Sequence, residues 1–395
     1  MTLQETPAAP TVLPTRTIWL MAISVGVIVA NIYYVQPLLA AVAREFHLTV
    51  AGAGAIAMLM QVGTALGMLF FVPLGDTHER RALVTRLVLA SSLALALFAL
   101  APNVWWLGAA GVVVGALGAT VHVIVPFAAH LAPEQQRGRV LGFVFSGLLF
   151  GILLARAFSG FVGAHLGWRA VFWIASAMML AVAALLRTQL PRSEPEVDLS
   201  WTQLVRSAAG LVRRHYTLRE ASLQGALFFA GFSAFWTTLA FRLETPPFHY
   251  GSTVAGLFGL VGAAGAAGAP IVGHCADKRG PRVAVLLALI VAMIAFLVMG
   301  FAGATIMGLV VGVVILDLAV QSGHVANQTR IYALDAGARS RINMVYMVCY
   351  FVGGALGSYV GALAWHAAGW WGVCGLGLAA MLPGMALVLR REPPA

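Results

Sequence analysis

Two ionisable residues stand inside long apolar stretches of this chain: Asp317 and Arg156. A charge held at the centre of a bilayer costs at least ~2.5 kcal/mol on insertion scales, so such a residue faces a cavity and takes a partner. A carboxylate that pairs with a guanidinium in one arrangement and loses it in another gains affinity for a proton when the partner leaves. That chemistry couples a proton to a change of shape. A fixed pair that only orients helices is the plainer alternative. Asp317, Gln321, His324 and Gln328 follow one another at intervals of four, three and four, which places them on one helix face. Asn327 adds another amide to the same stretch. A polar stripe at membrane depth must face protein or water. His324 and His122 are of the residue type that exchanges protons near neutral pH, although His122 also fits a relic of duplication.

Other stretches add groups that could contact a solute. Asn31, Tyr33, Tyr34 and Gln36 precede Pro37, which frees a backbone carbonyl. Thr120, His122 and Pro126 form a second group, and Phe228, Phe232, Phe235, Trp236 and Thr237 a third. Each aromatic alone fits packing. Together, aromatic faces with a few polar tips suit a hydrophobic or cationic small molecule.

Composition sets the medium in which these residues work. Of 395 residues, 61% are hydrophobic and 10% charged, with mean hydropathy +0.90. A soluble domain carries roughly 25% charged residues. A membrane helix needs about 20 apolar residues, and twelve stretches qualify: 17–42, 50–73, 82–101, 104–130, 138–164, 168–187, 220–243, 251–273, 281–301, 303–329, 341–365 and 368–389. Continuous apolar runs without strict alternation exclude a barrel. The prediction is an all-α membrane protein of twelve transmembrane helices. Residues 1–16 form an N-terminal tail, 17–187 a first six-helix bundle, 188–219 a linker, 220–389 a second six-helix bundle and 390–395 a C-terminal tail. The linker's second part reads as an amphipathic helix on anionic lipid, or as a polar tether. Rows such as Gly262, Gly265 and Gly268 predict close helix contacts. Trp105-Trp106 and Trp370-Trp371 read as interfacial anchors.

Net charge is +10. Twenty of the 24 Lys and Arg fall at the termini or in loops after even-numbered spans. That asymmetry follows the positive-inside rule, so both termini are expected in the cytoplasm and the protein in the cell's inner (plasma) membrane. It accounts for the charge without nucleic acid. Cys275, Cys349 and Cys374 lack metal spacing. No phosphate loop, nucleophile elbow or zinc signature is present, so neither an enzyme nor a cofactor is expected.

The chain repeats itself. His122-Val123 matches His324-Val325, Arg137 and Arg139 match Arg339 and Arg341, Gly151 matches Gly353, and Gly167-Trp168 matches Gly369-Trp370, each pair 202 positions apart. Two related halves in a membrane protein predict a solute path between them. After span 2 stand Asp76, Arg80 and Arg81; after span 8 stand Asp277, Lys278, Arg279 and Arg282. Each carboxylate sits at a helix end followed by cations. Arg139 and Arg341 open spans 5 and 11, where cations oppose the helix dipole. They make sense if Asp277 faces span 5 and Asp76 faces span 11, linking the halves when the cytoplasmic side is shut. Asp277→Ala is then expected to move the population toward the cytoplasm-open form, as read by cysteine labelling or spin-label distances.

With these residues in view, the chain resembles the major facilitator superfamily along its whole length. The loop after span 8 follows the pattern G-x-x-x-D-[RK]-x-G-x-[RK] at Gly273, Asp277, Lys278, Gly280 and Arg282. The loop after span 2 keeps Asp76 and Arg80-Arg81, with Val72 and Glu79 where glycines are usual. Span 5 carries Gly147, Gly151, Ala155, Arg156, Ser159 and Gly160, which looks like the glycine-rich motif of the drug:proton antiporter branch, with Arg156 where a proline is common. Span 4 has Gly111 and Gly115 but no buried Arg. The resemblance implies two parallel, pseudo-symmetric bundles, with spans 1, 4, 7 and 10 lining a central cavity and spans 5 and 10 approaching across the halves. The expected function is proton-coupled efflux of small organic or drug-like solutes by alternating access. The expected partners are a small-molecule substrate, protons and the lipid bilayer, with the chain a monomer. The sequence also fits export of a sugar, nucleoside or amino acid, or import of an organic acid. A non-transporting receptor or assembly subunit would not need the stripe on span 10.

Overall fold

In hydrocarbon, every backbone N–H and C=O must be paired within the chain, and the apolar runs of this sequence do so as helices. The computed structural model describes residues 14–193, 201–267 and 280–390, apart from the side chains of Asp76, Ala266, Ala267 and Ala336. No strand occurs among them. Span 1 is Thr15–Tyr33, continued through a 3-10 turn, Gln36–Leu38, and a short helix, Leu39–Glu45. The break falls at Pro37, as its missing N–H requires. Span 2 is Val50–Thr77 and span 3 Arg80–Ala99. Span 4 is Val104–Gly118 with Val121–Leu131. Span 5 is Arg137–Leu166 and span 6 Trp168–Gln189. A linker helix, Trp201–Arg214, precedes span 7, Tyr216–Glu244. Span 7 therefore begins four residues earlier than the apolar run indicated. Span 8 is described over Ser252–Ala267, span 9 is Pro281–Ala302 and span 10 Ile306–Tyr332. Spans 11 and 12 form one helical stretch, Arg339–Leu389, broken at Ala368 and Gly369.

Local chemistry sets several of these ends. Thr49, Asn103 and Thr305 cap spans 2, 4 and 10 by accepting from Gly52 N, Trp106 N and Gly308 N at 3.1, 2.9 and 3.0 Å. Each satisfies one of the orphan amides at a helix start. Glu79 caps span 3 through the amides of Arg81 and Ala82.

The repeat seen in the sequence recurs in the packing. Gly151 of span 5 lies against the backbone of Gly26 in span 1, and Gly353 of span 11 against that of Ala226 in span 7. Gly167 and Gly369, with φ 84° and 58°, turn the chain between spans 5 and 6 and between spans 11 and 12, a conformation that favours glycine. The Trp after each turn is buried and donates its indole N–H, Trp168 to Glu45 Oε2 at 2.6 Å and Trp370 to Met299 O at 2.7 Å. Trp370 is thus a packed residue, not an interfacial anchor, because its polar tip finds a partner inside the bundle. Trp105 and Trp371 are exposed, as an anchor requires.

An even number of spans starts and ends the chain on one face. At the opposite face the halves are joined. Arg44, after span 1, pairs with Glu244 at the end of span 7. Ser252 of span 8 donates to Gly160 O of span 5 at 3.2 Å. Deeper in, Gln61 of span 2 donates to Ser358 Oγ of span 11 at 2.7 Å and accepts from Ser233 of span 7 at 3.3 Å, while Thr237 donates to Ser358 at 3.0 Å. All four are buried. On the termini face, the linker helix reaches both halves. Trp201 stacks on Phe70 of span 2, ring centroids 5.3 Å apart, and Ser207 bonds Arg341 of span 11. Leu204, Ala208 and Leu211 form its buried face. The helix therefore docks on the bundles through this apolar side.

Candidate substrate and proton pathway

Arg156 projects from span 5 into the seam between the halves and is 1% exposed. Its Nε donates to Gln36 Oε1 of span 1 at 2.7 Å. Its guanidinium lies 3.9 Å from the Trp236 ring centroid, 4.9 Å from that of Tyr33 and 5.9 Å from that of Phe232. Aromatic faces on both sides offset part of the cost of taking this cation out of water. Its Nη2 is buried without a partner. Asp317, on span 10, is 3% exposed, and its Oδ2 is likewise buried without a partner. No ion pair joins acid and base. The sequence expected pairing in one conformation and separation in another, and this structure has them apart.

The rest of the stripe is less deeply buried than Asp317. Gln321, His324 and Gln328 are half-buried, as is His122 on span 4. His324 Nδ1 lies 3.0 Å from the Tyr346 hydroxyl, and its ring centroid 5.0 Å from that of Tyr350. Gln328 Nε2 approaches Asn343 Oδ1 at 3.5 Å. Between Tyr33, Gln36, Gln61, Phe229 and Phe351 the seam holds a void of about 10 Å³. That is about the room one water needs, too small for a solute.

A family model described as the Major Facilitator Superfamily matches residues 21–358. The putative uncharacterized transporter YgaY of Escherichia coli (strain K12) is 41% identical over 355 residues, covering 90% of each chain. The chain belongs to the Major Facilitator Superfamily. It shares 33% identity over 153 residues with the niacin transporter NiaP of Acinetobacter baylyi, covering 38% of this chain and 35% of that one. Among solved structures, a bacterial homologue of the human lysosomal transporter Spinster, inward-facing and occupied, superposes with TM-score 0.73 at 16% identity, covering 95% of this chain and 94% of the other. That likeness is one of fold. This facilitator is a multi-pass membrane transporter and not an enzyme.

Several expected site residues of the facilitator sit elsewhere. Asn31 is buried and donates to Met179 Sδ of span 6 at 3.3 Å, so it faces the inside of its own half. Tyr34 packs on Phe158 of span 5, ring centroids 5.6 Å apart. Asn327 lies off the stripe, because the step from Asp317 turns it about 100° per residue onto another face. It accepts from Arg330 at 3.4 Å, beside a buried pair in which Arg330 Nη2 bonds Glu220 Oε2 at 2.8 Å. Gln224 donates to Glu220 and accepts from Arg330 at 3.1 Å in each case, and Arg282 lies 3.8 Å from Glu220. The apolar run ends at 329, but span 10 continues to Tyr332 and carries Arg330 inside.

Both carboxylates of the expected gate lie outside what is described, and its described cations make the following contacts. Arg80 donates to Gly75 O at 2.9 Å and Arg81 to Leu190 O at 3.2 Å, both in their own half. Arg282 reaches the last carbonyls of span 12, Arg339 reaches Tyr332 O, and Arg139 is exposed. Arg341 bonds the linker helix at Ser207. The side chain of Asp76, and Asp277, Lys278 and Arg279 with Gly268 and Cys275, lie outside the described residues.

The sequence reading also missed Gln61, Ser358 and Ser233. A lone amide in an apolar span was the available signal. Gln61→Ala removes the centre of this buried junction and is expected to raise labelling of a cysteine placed on the span 2 face behind it, by about fivefold for a shift of about 1 kcal/mol. Unchanged labelling, with the protein folded, would deny the junction a role in holding that face shut.

Proposed function

We propose that this facilitator is a proton-coupled exporter of small organic solutes, of the drug:proton antiporter type, with both termini in the cytoplasm of a cell bounded by its inner membrane. The observation that carries the reading is the buried, unpaired acid and base on opposite sides of the seam, Asp317 and Arg156. Two such groups serve stability poorly when apart, and they serve coupling well when they meet in only one arrangement. The contacts joining the halves at Arg44–Glu244 and Gln61–Ser358, with the half-buried stripe on span 10 toward the other face, support a conformation open to the cytoplasm. Rocking of residues 1–187 against 220–395 would reverse it. Accumulation and growth assays in a transporter-depleted host, against a compound panel at two pH values, test the reading. Pumping that is independent of the proton gradient, or absent for every compound, counts against it.

One observation favours a second reading. Arg156 presents an unpartnered Nη2 among Trp236, Tyr33 and Phe232, a setting that suits an aromatic monocarboxylate. The partial likeness to NiaP agrees with that chemistry. Competition by aromatic acids, lost in Arg156→Gln, would select it.

A further inference from the structure

Span 8 stands between the base and the acid, and its glycines turn from one to the other. Gly256 lies against the backbone of Arg156 and Gly160 in span 5. A Cβ on Gly259 would fall 2.7 Å from Arg156 Cβ and 3.2 Å from its Cδ. A Cβ on Gly262 would fall 3.0 Å from Asp317 Oδ2 and 3.1 Å from its Cγ. Gly265 lies against Val314 O and is 3.1 Å, by the same measure, from Asp317 Cβ. Steps of three residues in a helix of 3.6 per turn shift the facing direction by about 60° each. The row thus passes from span 5 to span 10 in about half a turn, and its two middle members touch the two charged side chains. The unpartnered Oδ2 of Asp317 is aimed into this row.

The first half shows the same contact with its sizes exchanged. Met60 and Gly115, 202 positions before Gly262 and Asp317, also meet. There the glycine is on span 4 and packs against the backbone of Met60 on span 2. In the second half the glycine is on span 8 and the acid on span 10. We infer that Gly259 and Gly262 are positioning residues that keep a side-chain-free channel through span 8, by which Arg156 and Asp317 act on one another. A methyl group in that channel holds the two charges apart. The inference rests on the proposed coupling of this pair.

Its test follows Asp317 itself and needs no substrate. Infrared difference spectra of the full chain in phospholipid vesicles are recorded through a pH titration, with the Asp317 carboxyl band identified by its loss in Asp317→Asn. The other titratable groups that sense Asp317 are Arg156 on span 5, Tyr33 on span 1 and Tyr350 on span 11. In the native background, Arg156→Gln should displace the midpoint by at least about half a pH unit. In Gly262→Ala the same replacement should displace it by less than half that amount, and Gly259→Ala should behave alike. Gly251→Ala, at a position with open space around it, should leave the full displacement. Equal displacement in native and glycine-substituted chains overturns the inference while leaving the coupling intact. No displacement by Arg156→Gln in the native chain defeats the coupling and the inference with it. If Gly262→Ala does not yield folded protein, Gly259→Ala carries the comparison.

Discussion

Asp317→Asn is expected to abolish uphill transport while leaving downhill exchange. One proton exchanged per solute under a gradient of one pH unit supports about a tenfold concentration ratio, because one unit is worth about 1.4 kcal/mol. Without a titrating group at this position that ratio should fall to one. Asn matches Asp in size, so it preserves the contact with Gly262 and the packing of span 10. The measurement is solute accumulation in vesicles with an imposed gradient, beside counterflow without one. A variant that still accumulates solute tenfold removes Asp317 from the mechanism. Loss of both activities would mean that the substitution damages the path, and Asp317→Ser, smaller and also neutral, would separate the two.

Arg330→Met is expected to unfold the termini end of the second half first. It leaves Glu220, fully buried, without the partner that bonds it at 2.8 Å. Breaking a buried pair by removing one member costs about 3–5 kcal/mol, because the remaining charge is uncompensated. Gln224 and the more distant Arg282 offset a part of that loss. Replacing both members, Glu220→Gln with Arg330→Met, should restore most of it. Thermal unfolding in detergent reads the series. A single variant as stable as the native chain would show that the pair contributes little. If single and double variants fall equally, the loss lies in packing and not in charge.

Much of the architecture was legible in the apolar runs, because a span must be long and apolar whatever it packs against. Pro37 fell at a real break for a reason carried by the residue itself, whereas Gly369, inside the apolar run 368–389, holds a turn that the run did not mark. The buried acid and base were also legible, since a charge inside an apolar run is conspicuous. Their separation was not. It depends on span 8 crossing between spans 5 and 10, and no local pattern encodes such a crossing. Asn31 shows a related limit: its polarity announced a partner, but only the fold reveals that the partner is Met179 in its own half. Asn327 could have been separated from the stripe by helical spacing alone. Glu220 and Arg330 escaped notice because they sit near span ends, where a charge is usually solvated. Arg44 and Glu244, at the ends of equivalent spans, looked like ordinary loop charges until the closed face brought them together.

The buried junction at Ser358 has an evolutionary corollary. Ser358 occupies the place in the second half that Arg156 occupies in the first, and Gly115 the place of Asp317. A chimera of two first halves would hold two guanidiniums and no carboxylate; one of two second halves would hold the reverse. On the proposed coupling, neither half could then be replaced by a second copy of the other.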